Sequence, residues 1–179
     1  MNPSFEVATF AGGCFWCIES AFNSIKGVNS ALSGYMGGHT INPTYEDICT
    51  GQSGHAEVVQ INFNPEEITY RELLEILFSL HDPTQLNRQG NDVGTQYRSA
   101  IYYHNQAQKL AAETLINEIN ASSIWPTPVV TEITAEETFY CAENYHQDYV
   151  SNNPQNPYCQ MLVLPKLVKF KARFLAKLK

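Results

Sequence analysis

Phe5-Glu-Val-Ala-Thr-Phe-Ala-Gly-Gly-Cys-Phe-Trp-Cys17 contains a strand, a stop and the start of a helix. Residues 5–10 are short and β-rich, and Gly12-Gly13 ends them. From Cys14 onward Phe15, Ile18, Phe22 and Ile25 recur at helical spacing, so the segment reads as strand, glycine turn, helix. A cysteine that opens a helix lies beside backbone N–H groups without intrahelical partners, which favour negative charge. Such a position lowers a thiol's pKa from about 8.5 into the ~3.5–7.5 range. Cys14 is therefore the expected nucleophile. Cys17, one helical turn further on, is close enough in principle to form a disulfide with it.

Outward from this unit, strands and helices alternate. Val28–Gly34 reads as a second strand, and residues 37–54, rich in Gly, Asn, Thr, Ser and Pro, as a long functional loop. Val58, Gln60 and Asn62 alternate with Val59, Ile61 and Phe63 in a strand that ends at Pro65. A helix is predicted from about Thr69 to Leu80, with Thr69 as its cap and Glu72 three residues on. A polar loop at 81–97 precedes a strand at Ser99–Tyr103, a helix at Gln106–Glu118 and a strand at Val129–Ile133. Several connections are long, so an α+β domain with helices packed on one sheet fits the pattern. No linker or internal repeat divides residues 1–179, and a single domain is expected.

Composition narrows the function. The chain has 179 residues, 44% of them hydrophobic and 16% charged, enough for one sizeable core and incompatible with wholesale disorder. A net charge of −7 argues against binding nucleic acid through its phosphates. Five cysteines, an odd number, argue against a fully paired disulfide framework. The N-terminus shows no basic start followed by an apolar core, and no apolar run approaches a membrane span, so a reducing cytoplasm is expected. Nothing in the pattern marks an oligomer interface, and a monomer is expected. Charge is distributed unevenly. Six of the 11 basic side chains fall in residues 166–179, where there is no acid. Leu167, Phe170, Phe174 and Leu178 form one stripe of this basic helix, expected at 165–178. It is expected to pack on its own acidic domain rather than on a membrane.

Other chemistries also use a CxxC. Thioredoxin-like disulfide oxidoreductases place one at a strand–helix junction. The bulky Phe15-Trp16 pair between the cysteines stands against that and points to a pocket for an apolar group. A zinc site would need a second cysteine or histidine pair, and Cys49 and His55 are scattered. A thiol-sensing module without turnover remains a third reading.

The string Ala11-Gly-Gly-Cys-Phe-Trp-Cys17 resembles the signature of the peptide methionine sulfoxide reductase A family. Further matches follow in that family's order: Gly34-Tyr-Met-Gly-Gly-His-Thr40, Asn42-Pro-Thr-Tyr-Glu46, Gly54-His-Ala-Glu-Val58 and Gln89-Gly-Asn-Asp-Val-Gly-Thr-Gln-Tyr-Arg-Ser99. Glu143-Asn-Tyr-His-Gln-Asp-Tyr149 and Asn156-Pro-Tyr-Cys159 continue them, so the resemblance covers about residues 5–160. It implies a mixed sheet with flanking helices around a two-layer α/β plait (ferredoxin-like) core. It also implies reduction of the S epimer of methionine sulfoxide, free or in proteins, with thioredoxin as reductant and neither metal nor cofactor. Such an activity repairs oxidised protein.

The same resemblance assigns roles. Glu57 resembles the family's proton donor, which needs a raised pKa to donate at neutral pH. Tyr45 and Tyr97 resemble the hydroxyl pair that holds the sulfoxide oxygen, and Asp92 an acid that orients this network. Phe15 and Trp16 are expected to receive the methyl group, with His146 and Tyr149 bordering the pocket. Oxidised Cys14 must then be resolved by a second thiol. Many relatives have glycine at the position of Cys17 and resolve through C-terminal cysteines; this chain has Cys17 and Cys159. Cys17 is expected to resolve first, because CxxC spacing needs little rearrangement, with Cys159 as alternative or relay. Cys49 and Cys141 are expected to be spectators, and His39 and Arg98 structural.

Overall fold

In a computed structural model the protein is described from Ser4 to Lys179; the first residues of the N-terminal reading, and of the domain expected over 1–179, lie outside that range. β1 (Glu6–Gly12) leads through Gly13 into α1 (Phe15–Asn23), as the opening segment predicts. Then come β2 (Val28–Met36), a short α2 (Tyr45–Cys49), β3 (Ala56–Phe63) and α3 (Tyr70–Leu80). A two-residue ladder, β4 (Arg88–Gln89) with β5 (Asp92–Val93), precedes a 3₁₀ turn at Thr95–Tyr97 and β6 (Ser99–Tyr103). α4 (Gln106–Ser122), β7 (Glu132–Ala135) and β8 (Tyr140–Cys141) follow. A short α5 (Tyr149–Asn152), a π-helical turn at Cys159–Val163 and α6 (Leu164–Arg173) complete the chain.

The main sheet has the order β7-β6-β1-β3-β2-β8. All its pairings are antiparallel except β6 with β7, so the sheet is mixed. Alternation along β3 sends Val59, Ile61 and Phe63 into the main core, with Phe22 of α1, Leu73 and Leu77 of α3, and Leu167 and Phe170 of α6. Ala56 and Val58 face a smaller cluster with Met36 and Tyr102 on the other side. Glu57 shares the parity of Val59 and therefore points to the helix-covered face.

Several boundaries differ from the sequence reading, each for a tertiary reason. β2 runs through Gly34 to Met36, because Gly34 is not a stop: a Cβ there would collide with the Phe139 ring. The loop at 37–54 contains α2, nucleated by a capping box in which Thr44 and Asp47 each accept the other's backbone N–H. The last strand lies at Glu132–Ala135 rather than 129–133. The N–H groups of Val129 and Val130 are taken by Asn120 Oδ1 and the Pro83 carbonyl, which leaves them unavailable to β6. α4 continues past Glu118 to Ser122 and stops where Ser123 turns left-handed. The α3 start agrees with its motif: Thr69 Oγ1 accepts from the Glu72 N–H, and the Glu72 carboxylate accepts from the Thr69 N–H. The C-terminal helix is shorter than 165–178 and follows the π-helical turn; Leu178 instead bridges to Ile25.

Candidate active site

Gly13 makes the corner between β1 and α1 at a φ of 94°, and a Cβ there would meet the Gln89 side chain at 2.7 Å. The corner delivers Cys14 to the N-cap of α1. From the neighbouring β3, Glu57 Oε1 accepts the Phe15 N–H at 3.2 Å. Nucleophile and carboxyl group therefore meet at one helix N-terminus although they are distant in sequence. Phe15 is buried in the core, packed against Tyr35 and His146.

Longer-range elements supply the rest. Tyr45 is the first residue of α2, and its N–H donates to Glu143 Oε2 at 2.9 Å, while Tyr35 Oη donates to Oε1 of the same carboxylate at 2.9 Å. Tyr97 ends the 3₁₀ turn, which Arg98 braces by donating to the Thr95 and Gly54 carbonyls. Asp92 comes from β5, and its Oδ2 accepts from Tyr158 Oη at 2.6 Å. Cys14, Phe15, Trp16, Tyr45, Glu57, Asp92 and Tyr97, all selected from sequence, line one cavity of about 280 Å³.

Asn156 and Tyr158 line the same cavity and were missed, although they lie within the quoted Asn156-Pro-Tyr-Cys159 string. His146 and Tyr149 border the cavity from behind its wall, with His146 also packed on Phe15 and Tyr45. They stand behind Trp16: its Nε1 donates to His146 Nδ1 at 3.0 Å, and the Tyr149 ring stacks on it at 3.7 Å and 5°. They orient the wall of the cavity and are not among its lining residues. Of the remaining cysteines, Cys17 shares a second, small cavity of about 20 Å³ with Cys14, while Cys159 is buried nearby in the π-helical turn. Cys49 and Cys141 are exposed.

Electrostatics correct one expectation. The helix N-terminus does not make Cys14 a thiolate. Burial first, then the negative charge that Glu57 carries once it ionises, push the thiol well above its ordinary range, and Asp92 adds to this. The Trp16 N–H and the Tyr158 hydroxyl pull the other way and are outweighed. Burial also raises the Glu57 carboxyl to about 8, against the opposing Phe15 N–H and with a smaller push from Asp92. At neutral pH both Cys14 and Glu57 therefore carry their protons. Burial and neighbouring negative charge likewise keep Tyr45, Tyr97 and Tyr158 protonated well above their usual range. The arrangement offers a soft nucleophile, a poised acid and neutral hydroxyl donors around an aromatic wall. Among the described residues, no three of His, Cys, Asp and Glu converge as a metal donor set.

Comparison with known proteins places the chain in a family. The family model described as peptide methionine sulfoxide reductase matches residues 6–178. The chain belongs to the peptide methionine sulfoxide reductase family. Membership makes it an oxidoreductase. It is 55% identical over 174 residues to the peptide methionine sulfoxide reductase MsrA of Saccharolobus solfataricus, covering 97% of each chain. With the MsrA of Polynucleobacter asymbioticus it shares 51% identity, over 96% of this chain and 90% of the relative. Reduced Mxr1 from Saccharomyces cerevisiae superposes with a TM-score of 0.79 at 35% identity, covering 87% of this chain and 89% of that one. Mxr1 has also been solved in complex with Trx2; that structure matches with a TM-score of 0.55 at 25% identity, over 83% and 89% of the two chains.

Proposed function

We propose that the chain reduces the S epimer of methionine sulfoxide, free or in proteins, through Cys14, and is recycled by thioredoxin. The observation that carries this reading is a buried Glu57, its pKa raised by that burial, beside Cys14 in a cavity walled by Phe15, Trp16 and tyrosines. The methyl group packs on Phe15 and Trp16, whose π faces also favour the positive charge that develops on sulfur. Tyr45 and Tyr97 hold the sulfoxide oxygen, and Tyr158 fixes Asp92 at the cavity edge. Glu57 donates its proton to the sulfoxide oxygen as Cys14 Sγ bonds to the sulfoxide sulfur, and the Cys14 proton passes to Glu57. The new S–S bond and the sulfoxide S–O bond then break as the OH group moves to Cys14 Sγ. The oxygen passes to Cys14, leaving methionine and a Cys14 sulfenic acid: one sulfur is reduced by two electrons and the other oxidised by two.

Cys17 is the proposed resolving thiol, since it shares the small cavity with Cys14. Cys159 is the alternative, or a relay that passes the disulfide outward. The Mxr1–Trx2 complex supports thioredoxin as the final reductant. The reaction uses no bound cofactor in this proposal, and five free thiols suit a reducing cytoplasm. No helix among the described residues is long and apolar enough to cross a membrane. We further read residues 1–179 as one domain whose centre is the two-layer plait. The strand order β6-β1-β3-β2 and the packing of α6 on α1 and α3 support this.

The test is methionine formation from methionine S-sulfoxide with dithiothreitol, with the R epimer as control. Methionine from the S epimer alone is expected, and Cys14→Ser should abolish it. Brisk insulin reduction with no methionine would instead mark a thioredoxin-like oxidoreductase. A disulfide map after one equivalent of substrate without reductant should show Cys14–Cys17; Cys14–Cys159 would reverse the order of the resolvers.

A further inference from the structure

The basic C-terminal helix brings to the sulfur chemistry a cation, Lys166, that makes no ion pair among the described residues. Of the six basic residues in 166–179, Lys177 alone makes an ion pair among the described residues, with Glu72 at 3.3 Å. Leu167 and Phe170 dock α6 into the core. That docking brings the adjacent Lys166 to the wall of the 20 Å³ cavity shared by Cys14 and Cys17.

The charges facing Cys17 can be named from each element around it. Cys14 lies on its own helix, Asp92 on β5, Tyr158 and Cys159 on the segment before α6, and Lys166 on α6. His81, at the end of α3, is held neutral: burial lowers it to about 4, and its two ring nitrogens are engaged by the Leu77 carbonyl and Ser99 Oγ. Among the described residues, Lys166 is therefore the one cation lining this cavity. Burial pushes the Cys17 thiol up to about 11, and the Lys166 charge opposes that rise. The resolving step is the point at which this matters, because a thiolate and not a thiol attacks sulfur.

We propose that the Lys166 ammonium is the counter-ion that lets Cys17 ionise and attack the oxidised Cys14, which makes the C-terminal helix part of the recycling machinery. The inference rests on the reading of Cys17 as resolver. In the step, Cys17 loses its proton and its sulfur forms a bond to Cys14 Sγ. The S–O bond of the sulfenic acid breaks, and the departing hydroxide takes up the released proton as water. Both sulfurs end as disulfide, so no outside oxidant is needed. Lys166 acts through Cys17 and has no contact with the substrate to make. The charge of the tail thus acquires a local use at its first residue, separate from general attraction to an acidic domain.

Alkylation of Cys17 by iodoacetamide across pH, followed by peptide mass spectrometry in a Cys14→Ser background, reads the thiol directly. Adding Lys166→Met should raise the pH midpoint of Cys17 alkylation, and a rise of about one unit means about tenfold less thiolate at fixed pH. Lys166→Arg should restore the midpoint, which a merely structural lysine would not require. In otherwise intact enzyme, Lys166→Met should lengthen the lifetime of the Cys14 sulfenic acid, trapped with dimedone, by about the same factor. An unchanged midpoint overturns the proposal. The resolver reading fails separately, if Cys17→Ser still forms an intramolecular disulfide with Cys159 at the original rate. In that event a Lys166-dependent Cys17 midpoint would remain, but its role in recycling would be refuted.

Discussion

Replacing Glu57 by Gln should slow methionine formation while making the folded protein more stable in alkali. The carboxyl is buried and its pKa is raised from an ordinary 4.5 to about 8. Below about pH 4.5 folded and unfolded chains both hold this proton, so the group contributes no difference there. Between the two values the folded state keeps the proton that the unfolded state releases, and stability falls as pH rises. Above about 8 the cost is fully present. A shift of this size corresponds to roughly 5 kcal/mol as an upper bound, since water penetration and local relaxation reduce it. Gln retains an oxygen for the Phe15 N–H and cannot ionise, so the variant escapes the loss. Urea unfolding at pH 5.5 and pH 8.5 measures it: the variant's stability relative to wild type should increase by several kcal/mol between those conditions. Glu19, another buried carboxyl raised to about 7, is present in both proteins and cancels from the comparison. An equal difference at the two pH values would refute the assignment of a buried, proton-holding Glu57. In kinetics, wild-type single-turnover rates should decline as pH passes about 8, because the donor is then ionised. The Gln variant should be slow throughout and show no such decline.

Tyr158→Phe removes the hydroxyl that donates to Asp92 at 2.6 Å, leaving a cavity carboxylate without that donor. A loss of about 1.5–3 kcal/mol is expected, or about 10–100-fold in kcat/KM for methionine S-sulfoxide with dithiothreitol. Undiminished kcat/KM would remove Tyr158 from the site. Tyr149→Leu takes away the ring stacked on Trp16 and should raise KM by roughly fivefold, about 1 kcal/mol, with a smaller change in kcat. If kcat alone falls, the cavity wall is not what Tyr149 supports. Thr69→Ala breaks the cap of α3 and should cost about 1 kcal/mol in urea unfolding, with kcat/KM unchanged. A stability loss below a few tenths would mean that the cap is dispensable.

Local chemistry was legible wherever neighbouring residues decide the outcome. The glycine turn and the apolar spacing after Cys14 place α1, and the Thr69–Glu72 pair starts α3 within a residue of its observed boundary. The alternation of β3 leaves room for an inward Glu57, and the structure puts it on the helix-covered face. Alternation could not say that the partner is the Phe15 N–H. Where a neighbour comes from far along the chain, the sequence reading drifted. Gly34 looked like a stop because Phe139, more than a hundred residues later, was invisible to it. Tyr158 was passed over because its importance lies in Asp92, another distant residue.

By itself, the sequence determined the order of the motifs, the strand–turn–helix that presents Cys14, and a family resemblance strong enough to nominate Glu57, Tyr45, Tyr97 and Asp92. The tertiary structure decided protonation and rank. A helix N-terminus argues for a thiolate, yet burial holds Cys14 as a thiol, and the charges of Asp92 and, above about pH 8, of ionised Glu57 add to it. His146 and Tyr149 back the cavity wall through Trp16 and Phe15, and Lys166 moved from an anonymous basic tail to the wall of the sulfur cavity. Each change has the same physical origin. Desolvation and Coulomb interactions depend on every group within a few ångströms, and those groups become neighbours only when the chain is folded.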